Sequence, residues 1–374
     1  MFAKRIDRLK PSLVREILAA AQAPGVISFA GGLPAAETLF QPELSELKLP
    51  ASIWQYGASE GESVLRDLVA QRANRLGLAC RPDQVLILNG SQQGIDLVAK
   101  LWVEETTKIL CESPTYLAAL QVFDLFGASF ESSQADWLSP TDIEASQADF
   151  AYLIPTFQNP TGRCYSTEQR QLLAQAFDLR RMPVFEDDPY RDLAFDGPAP
   201  APLVSHLQSV PWVYQGSFSK TLAPGLRLGY LIAHPDLIVP LTRLKQAADL
   251  HSNRLSQAIV THVLANGTLD KHIADLLPIY REKRDLMHQV LTEQLAEKAY
   301  WHKPAGGLFF WLELKRDCDT HYLMQKALAL GLAIMPGDPF YPAKPQQTCT
   351  LRLNFSHSSL ELIEEGVNRL ARLI

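Results

Sequence analysis

The sequence predicts an α/β protein, a large and mostly parallel doubly wound sheet domain joined to a smaller α+β domain. Short continuous apolar runs of strand length, such as Val85-Leu86-Ile87-Leu88 and Tyr152-Leu153-Ile154, alternate with helix-length amphipathic segments, as expected of strands covered on both faces by helices. Ser91, Asn159, Asp187 and Lys220 each fall just past the carboxyl end of such a run. In open α/β sheets those ends form one rim where ligands bind. After Tyr230 the rhythm changes to long helical segments with isolated strand-like runs.

Residues 11–20 read as a short helix with Leu13, Ile17 and Leu18 on one face. Pro24-Gly25 ends it, and residues 26–29 form a strand running into Gly31-Gly32-Leu33-Pro34, whose paired glycines let a backbone N–H approach a ligand. Ser59-Glu60-Gly61-Glu62 has the capping-box pattern and is expected to open a helix through Leu76. Residues 85–88 form a strand, which Asn89-Gly90-Ser91-Gln92-Gln93 turns into a helix carrying Leu97, Val98, Leu101 and Trp102. Residues 109–111 are the next strand, and Pro114-Thr115-Tyr116 leads into a helix over 117–126. The strand at 152–154 enters Pro155-Thr156-Phe157-Gln158-Asn159-Pro160-Thr161-Gly162. A second capping box, Ser166-Thr167-Glu168-Gln169, opens a helix ending near Arg181. Residues 184–185 end in Glu186-Asp187-Asp188-Pro189-Tyr190, and the run Trp212-Val213-Tyr214 ends in glycine and Ser217-Phe218-Ser219-Lys220.

Further on, 241–265 is helical with a break near Asp249-Leu250-His251, and 270–298 is a long helix interrupted at Pro278. Strands follow at 307–312 and 351–355, and helices at 320–330 and 360–373. The expected division is a large domain over 41–265 and a small one made of 1–40 and 266–374.

Composition narrows the function. At 374 residues with a formal charge of −6, and without a Lys/Arg run, the chain lacks the footprint of a nucleic-acid binder. It has no uninterrupted apolar stretch long enough to span a membrane and no apolar signal core near Met1, so a cytoplasmic location is expected. The five cysteines are scattered without a C-x-x-C pair, which reads as reduced thiols, and the nine histidines show no metal-ligand spacing. No metal is expected.

The chemistry centres on Lys220. Ser217, Ser219 and Arg227 around one ammonium describe a lysine beside an anionic group, most simply a phosphate. A nucleotide P-loop needs glycine directly before the lysine, and Ser219 stands there. The stretch instead resembles the cofactor-lysine motif of the pyridoxal-phosphate (PLP) aminotransferases of fold type I. Together with residues 27–34, Gln55-Tyr56-Gly57, Gly90-Ser91-Gln92-Gln93, residues 157–162 and Glu186-Asp187-Asp188-Pro189-Tyr190, it resembles the class I/II subgroup of 2-aminoadipate and kynurenine-type enzymes. That subgroup also includes the aminotransferase-like half of PLP-dependent bacterial regulators.

The resemblance implies that Lys220 carries the cofactor covalently. Ser91, Gln92, Ser217, Ser219 and Arg227 hold its phosphate. Asp187 keeps its ring nitrogen protonated, Asn159 and Tyr190 bond its phenolic oxygen, and Tyr116 stacks on the ring. An ordinary lysine, with a pKa near 10.4, must come down to about 7–8 for acid–base work, and Arg227 and a desolvated cleft push that way. Arg352, inside a strand, is the fork-shaped donor for the substrate carboxylate, helped by Gly32 and Asn159. The resemblance further implies a homodimer in which Tyr56 reaches the neighbour's phosphate, and side-chain recognition by Ser12 and Arg15 on the first helix. The expected activity moves an amino group between 2-aminoadipate, glutamate or a bulky hydrophobic or aromatic amino acid and a 2-oxo acid such as 2-oxoglutarate. A lyase on the same fold would use Lys220 and Asp187 equally well. A regulator-like PLP-binding domain is the other alternative, and the first helix leads within thirty residues into the Gly-Gly-Leu-Pro motif, without a basic helix-turn-helix module. The segments around 41–51 and 199–211 are short for the family, and Asp338 stands where a second glycine is expected.

Overall fold

The computed structural model describes residues 2–9, 17, 23–43, 45, 47, 49–133, 137–343 and 349–374. Ser12 and Arg15 lie outside the described residues, as does the expected first helix apart from Ile17. After the short strand β1 (Ile27–Ser28), the apolar runs assemble into a seven-stranded sheet: β2 (Val85–Leu88), β3 (Lys108–Cys111), β4 (Ser129–Ser132), β5 (Phe150–Leu153), β6 (Val184–Asp187), β7 (Trp212–Ser217) and β8 (Gly229–Ala233). Their order is β2-β8-β7-β6-β5-β3-β4. Among the described residues β8 alone runs against its neighbours.

Strand pleating sorts the apolar side chains onto two faces. Val85 and Ile87 of β2 point to one core, with helices α1 (Ser63–Arg75) and α5 (Thr167–Arg180), and Leu86 and Leu88 to the other, with α2 (Ser91–Trp102) and α3 (Leu117–Phe126). The short α4 (Pro140–Ala145) packs on α5, and α6 (Pro235–Asp249) and α7 (Arg254–Ala265) follow β8. A third core lies around β9 (Ala299–Tyr300), β10 (Phe309–Leu314), β12 (Met335–Pro336) and β13 (Thr350–Asn354), an antiparallel sheet in the order β12-β13-β10-β9. Beside it β1 pairs in parallel with β11 (Leu332–Ala333), and helices α9 (Thr320–Ala329) and α10 (Leu360–Ala371) complete this part. The long helix α8 (Thr268–Leu295) belongs to both cores: Leu269 and Ile273 pack against the large sheet, and Tyr280, Met287, Val290 and Leu291 against the small one.

Several expectations are corrected. Ser59-Glu60-Gly61-Glu62 makes no capping box; α1 begins at Ser63 without a side-chain cap. Tertiary contacts claim the turn instead: Gly61, at φ 101°, lies so close to Ile87 that a Cβ would collide, and Glu62 pairs with Arg254 at 2.5 Å. The box at Ser166 does form, with Gln169 N donating to Ser166 Oγ at 3.2 Å and Ser166 N to Gln169 Oε1 at 2.8 Å. Such a cap contributes about 1 kcal/mol. Pro278 does not interrupt α8, because buried Leu276 and Tyr280 anchor the helix on either side of the missing N–H. The cysteines are not all thiols: Cys318, before α9, and Cys349, before β13, are joined with their Cα atoms 5.6 Å apart, while Cys80, Cys111 and Cys164 are free. Two cysteines 31 residues apart are brought together only by the tertiary fold, which their spacing did not announce. Among the described residues no helix is long and apolar enough to cross a membrane.

Candidate active site

The carboxyl ends of β5, β6 and β7 and the start of α2 surround a cavity of about 490 Å³. Gly32, Ser91, Gln92, Tyr116, Asn159, Asp187, Tyr190, Ser217, Ser219, Lys220, Arg227 and Arg352 all line it. Tyr56 does not; it is 76% exposed, its ring set edge-on to His251 at 5.8 Å.

One end of the cavity suits an anion. After β7 the chain forms a closed loop, with Phe218 N donating to Leu228 O (3.2 Å) and Leu222 N to Phe218 O (2.9 Å). Ser219 N donates to Ser217 Oγ at 3.1 Å. Arg227 closes the loop in the left-handed conformation (φ 48°), its guanidinium over Gly90. A Cβ at Gly90 would stand 2.7 Å from Arg227 Nη2, and the residue's φ of 81° also suits glycine. Gly90 precedes α2, whose first N–H groups, at Ser91 and Gln92, have no acceptor within the helix and attract negative charge.

Asp187 ends β6 and is 3% exposed. The Tyr152 hydroxyl donates to its Oδ2 at 2.9 Å, and Gln215 Nε2 donates to its Oδ1 at 2.8 Å. Burial pushes the Asp187 carboxyl up to about 6, against the pull of those two donors, with Asp188 adding to the rise. Sequence reasoning missed Tyr152 and Gln215 because both sit inside apolar strands. The strand register accounts for both: Gln215 of β7 stands opposite Asp187, and Tyr152 of β5 stands opposite Phe185, two residues back and so on the same face of the sheet as Asp187.

Lys220 Nζ is half-buried and donates to Gly32 O at 2.7 Å. Desolvation, then the Arg352 and Arg227 charges, bring its pKa down to about 8, the direction a nucleophilic amine needs. Arg352, in β13 and 4% exposed, donates from Nη1 to Asn159 Oδ1 (2.9 Å) and from Nη2 to Ala30 O (2.6 Å). Its guanidinium lies 4.4 Å from the Phe309 ring centre and 4.9 Å from that of Phe340, cation–π contacts that favour the charge in a dry site. Desolvation lowers its pKa to about 10, opposed by Tyr190 and Tyr116, so it stays charged at neutral pH. Burial raises the Tyr116 phenol to about 12 and lifts that of Tyr190 as well, keeping both protonated as donors.

The donor set fits a phosphorylated aromatic aldehyde. Hydroxyls, a guanidinium and a helix N-terminus gather at one end around the Gly90 cradle, a buried carboxylate stands on the floor, and an amine of lowered pKa stands on the wall. Among the described residues the buried Arg352 Nε has no hydrogen-bond partner of its own. An open α/β sheet carrying this set at its carboxyl rim defines a PLP-dependent enzyme of fold type I.

The chain belongs to the class I and II aminotransferase family, whose profile matches residues 39–370. It is 38% identical to a 2-aminoadipate transaminase of Thermus thermophilus over 100% of this chain and 96% of that protein. It is 34% identical to an aromatic-amino-acid aminotransferase of Thermococcus litoralis over 100% of this chain and 94% of that one. Among solved structures it superposes on the α-aminoadipate aminotransferase LysN of Thermus thermophilus, complexed with N-(5'-phosphopyridoxyl)-L-leucine, with a TM-score of 0.89 at 36% identity, covering 100% of this chain and 96% of that one.

Proposed function

We propose that this chain is a PLP-dependent aminotransferase that moves an amino group between 2-aminoadipate, glutamate or a bulky hydrophobic or aromatic amino acid and a 2-oxo acid such as 2-oxoglutarate. The observation that carries this reading is the convergence of Lys220, Asp187 and Arg352 on one cavity, an amine of lowered pKa, a buried carboxylate and a carboxylate-binding fork. The donor classes are supported by the 2-aminoadipate and aromatic relatives and by the leucine adduct of LysN.

Pyridoxal phosphate, when bound, supplies an electron sink for charge at the substrate's α-carbon. In this reading Ser91, Gln92, Ser217, Ser219 and Arg227 hold the phosphate, and Asp187 holds the proton on the ring nitrogen. Asn159 and Tyr190 bond the phenolic oxygen, and Tyr116 covers the ring. Lys220 attaches the cofactor and, once displaced, carries the proton to and from the α-carbon. Arg352, Gly32 and Asn159 grip the α-carboxylate, and Ser12 and Arg15 read the side chain. The division into 41–265 and the pair 1–40 and 266–374 is proposed on the two separate cores, which α8 joins. A cytoplasmic location is proposed on the free Cys80, Cys111 and Cys164, and the Cys318–Cys349 bond is the feature that counts against it.

Purified enzyme, supplied with a panel of amino acids and 2-oxoglutarate, is expected to release glutamate together with the 2-oxo acid of the donor. Continued release of a 2-oxo acid, beyond one equivalent per active site, without any amino acceptor would instead identify a lyase. A homodimer is proposed on the exposed Trp54 (75%) and Tyr56 (76%), large aromatics left in solvent by a single chain. Sedimentation is expected to give about twice the 41.7 kDa chain mass. A fully active monomer would remove the role given to Tyr56.

A further inference from the structure

Asn159 reaches the cavity on the 155–165 loop, and Arg170 of α5 holds that loop at both ends. Its Nη2 donates to Pro155 O (2.8 Å) and Thr156 Oγ1 (2.9 Å) at the start, and its Nε donates to Tyr165 O (3.0 Å) at the end. Its Nη1 donates to Ala201 O at 3.3 Å and lies 3.6 Å from Glu186 Oε1. Arg170 is 0% exposed, yet it does not line the cavity. A charge taken wholly out of water must be offset by its partners, and most of these partners belong to the loop. Within the loop Phe157 sits at φ 48°, a conformation that a bulky residue adopts only when its surroundings impose it. Thr156 Oγ1 is shared with Arg191 Nη2 at 3.4 Å, and Arg191 is fixed by Asp188 at 2.5 Å.

We propose that Arg170 is a positioning residue for carboxylate recognition: by clamping both ends of the 155–165 loop it sets Asn159 Oδ1 against Arg352 Nη1 and so fixes the orientation of the Arg352 fork. Lysine at this position would keep the charge beside Glu186, but one ammonium cannot span the two ends of the loop as a planar fork does. The inference rests on the reading of Arg352 and Asn159 as the carboxylate grip.

The test measures binding of 4-methylpentanoate, a carboxylate without an amino group to react, to cofactor-loaded enzyme by calorimetry. Cofactor content and melting temperature are recorded alongside. Asn159→Ala is expected to weaken binding about tenfold and Arg170→Lys about fivefold, whereas the double variant loses only about tenfold rather than the roughly fiftyfold of independent sites. Cofactor content stays at the wild-type level in Arg170→Lys, since the phosphate cradle lies on other loops. Thr156→Val, which removes one of Arg170's acceptors without unburying the guanidinium, weakens binding in the same direction by about twofold. A merely structural role would lower the melting temperature with binding intact, or give multiplicative losses, and either result overturns the inference while leaving the grip standing. Unchanged binding in Asn159→Ala removes Asn159 from the grip and the inference with it. If Arg170→Lys does not fold, Thr156→Val decides: wild-type binding there also overturns it.

Discussion

Replacing Lys220 with alanine is expected to abolish turnover, by roughly ten-thousandfold, the upper range for removing a positioned acid–base group. The same substitution removes covalent attachment. Borohydride applied to the loaded wild-type enzyme is expected to leave a pyridoxyl group on Lys220 Nζ, found by peptide mass spectrometry, and none in Lys220→Ala. The attachment should also report the environment of the amine. Desolvation and the Arg352 and Arg227 charges hold Lys220 near 8, and the neutral amine is the reactive form. Attachment to added cofactor should therefore accelerate with rising pH and reach half its maximal rate near pH 8, well below the ordinary lysine range. Labelling of another lysine, or a half-maximal rate two units higher, would remove Lys220 from its role.

Asp187→Asn is expected to lower kcat by about a hundredfold to a thousandfold, the scale measured when one preorganised electrostatic partner is removed. The amide keeps the shape of the side chain but brings no negative charge to the ring nitrogen. Its single oxygen accepts from only one of the two donors, Tyr152 or Gln215, that now satisfy both carboxylate oxygens. Stability should move differently from activity. Burial raises the Asp187 carboxyl from 3.8 to about 6, so the native state binds a proton more tightly than the unfolded one. Its favourable contribution is present in acid and is lost as pH rises through about 6. Above that pH the ionised carboxylate costs the cofactor-free protein stability, and Asn removes this cost, so the melting temperature at about pH 7.5 should not fall. Activity within a few-fold of wild type would sink the assignment, whatever the melting temperature.

The sequence made most of the rim legible because its strands are buried on both faces and therefore read as plain apolar runs. Where such a run stops at a polar residue, as at Asp187, the stop marks the cavity floor. Edge elements lack that signal: Ser-Phe-Glu-Ser of β4 is half-buried to exposed and offers no apolar run, so its pairing with β3 shows only in the fold. Local rules also give way where tertiary contact is stronger. The Ser59 capping pattern is unused because Gly61 is pressed against Ile87, and Pro278 is carried through a helix whose neighbouring turns are buried. Partners remote in sequence stayed hidden for the same reason. Asp187 was legible as a carboxylate at a strand end, but Tyr152 and Gln215 are recognisable as its donors only once the strand order is known. Arg170, inside the helix that the Ser166 box opens, drew no notice in the sequence, because its complete burial is visible only in the fold.

The passage of α8 from one core to the other has a mechanical consequence. Leu269 and Ile273 are bolted to the large sheet and Leu276 onward to the small one, so this helix acts as a beam fixed at both ends. The rung that the ladder of backbone bonds lacks, from Pro278 to the carbonyl of Ala274, spans this changeover, and there the beam is least stiff. Any rocking of Arg352, on the small sheet, toward Lys220, on the large one, must flex this beam, and the bend concentrates at the missing rung.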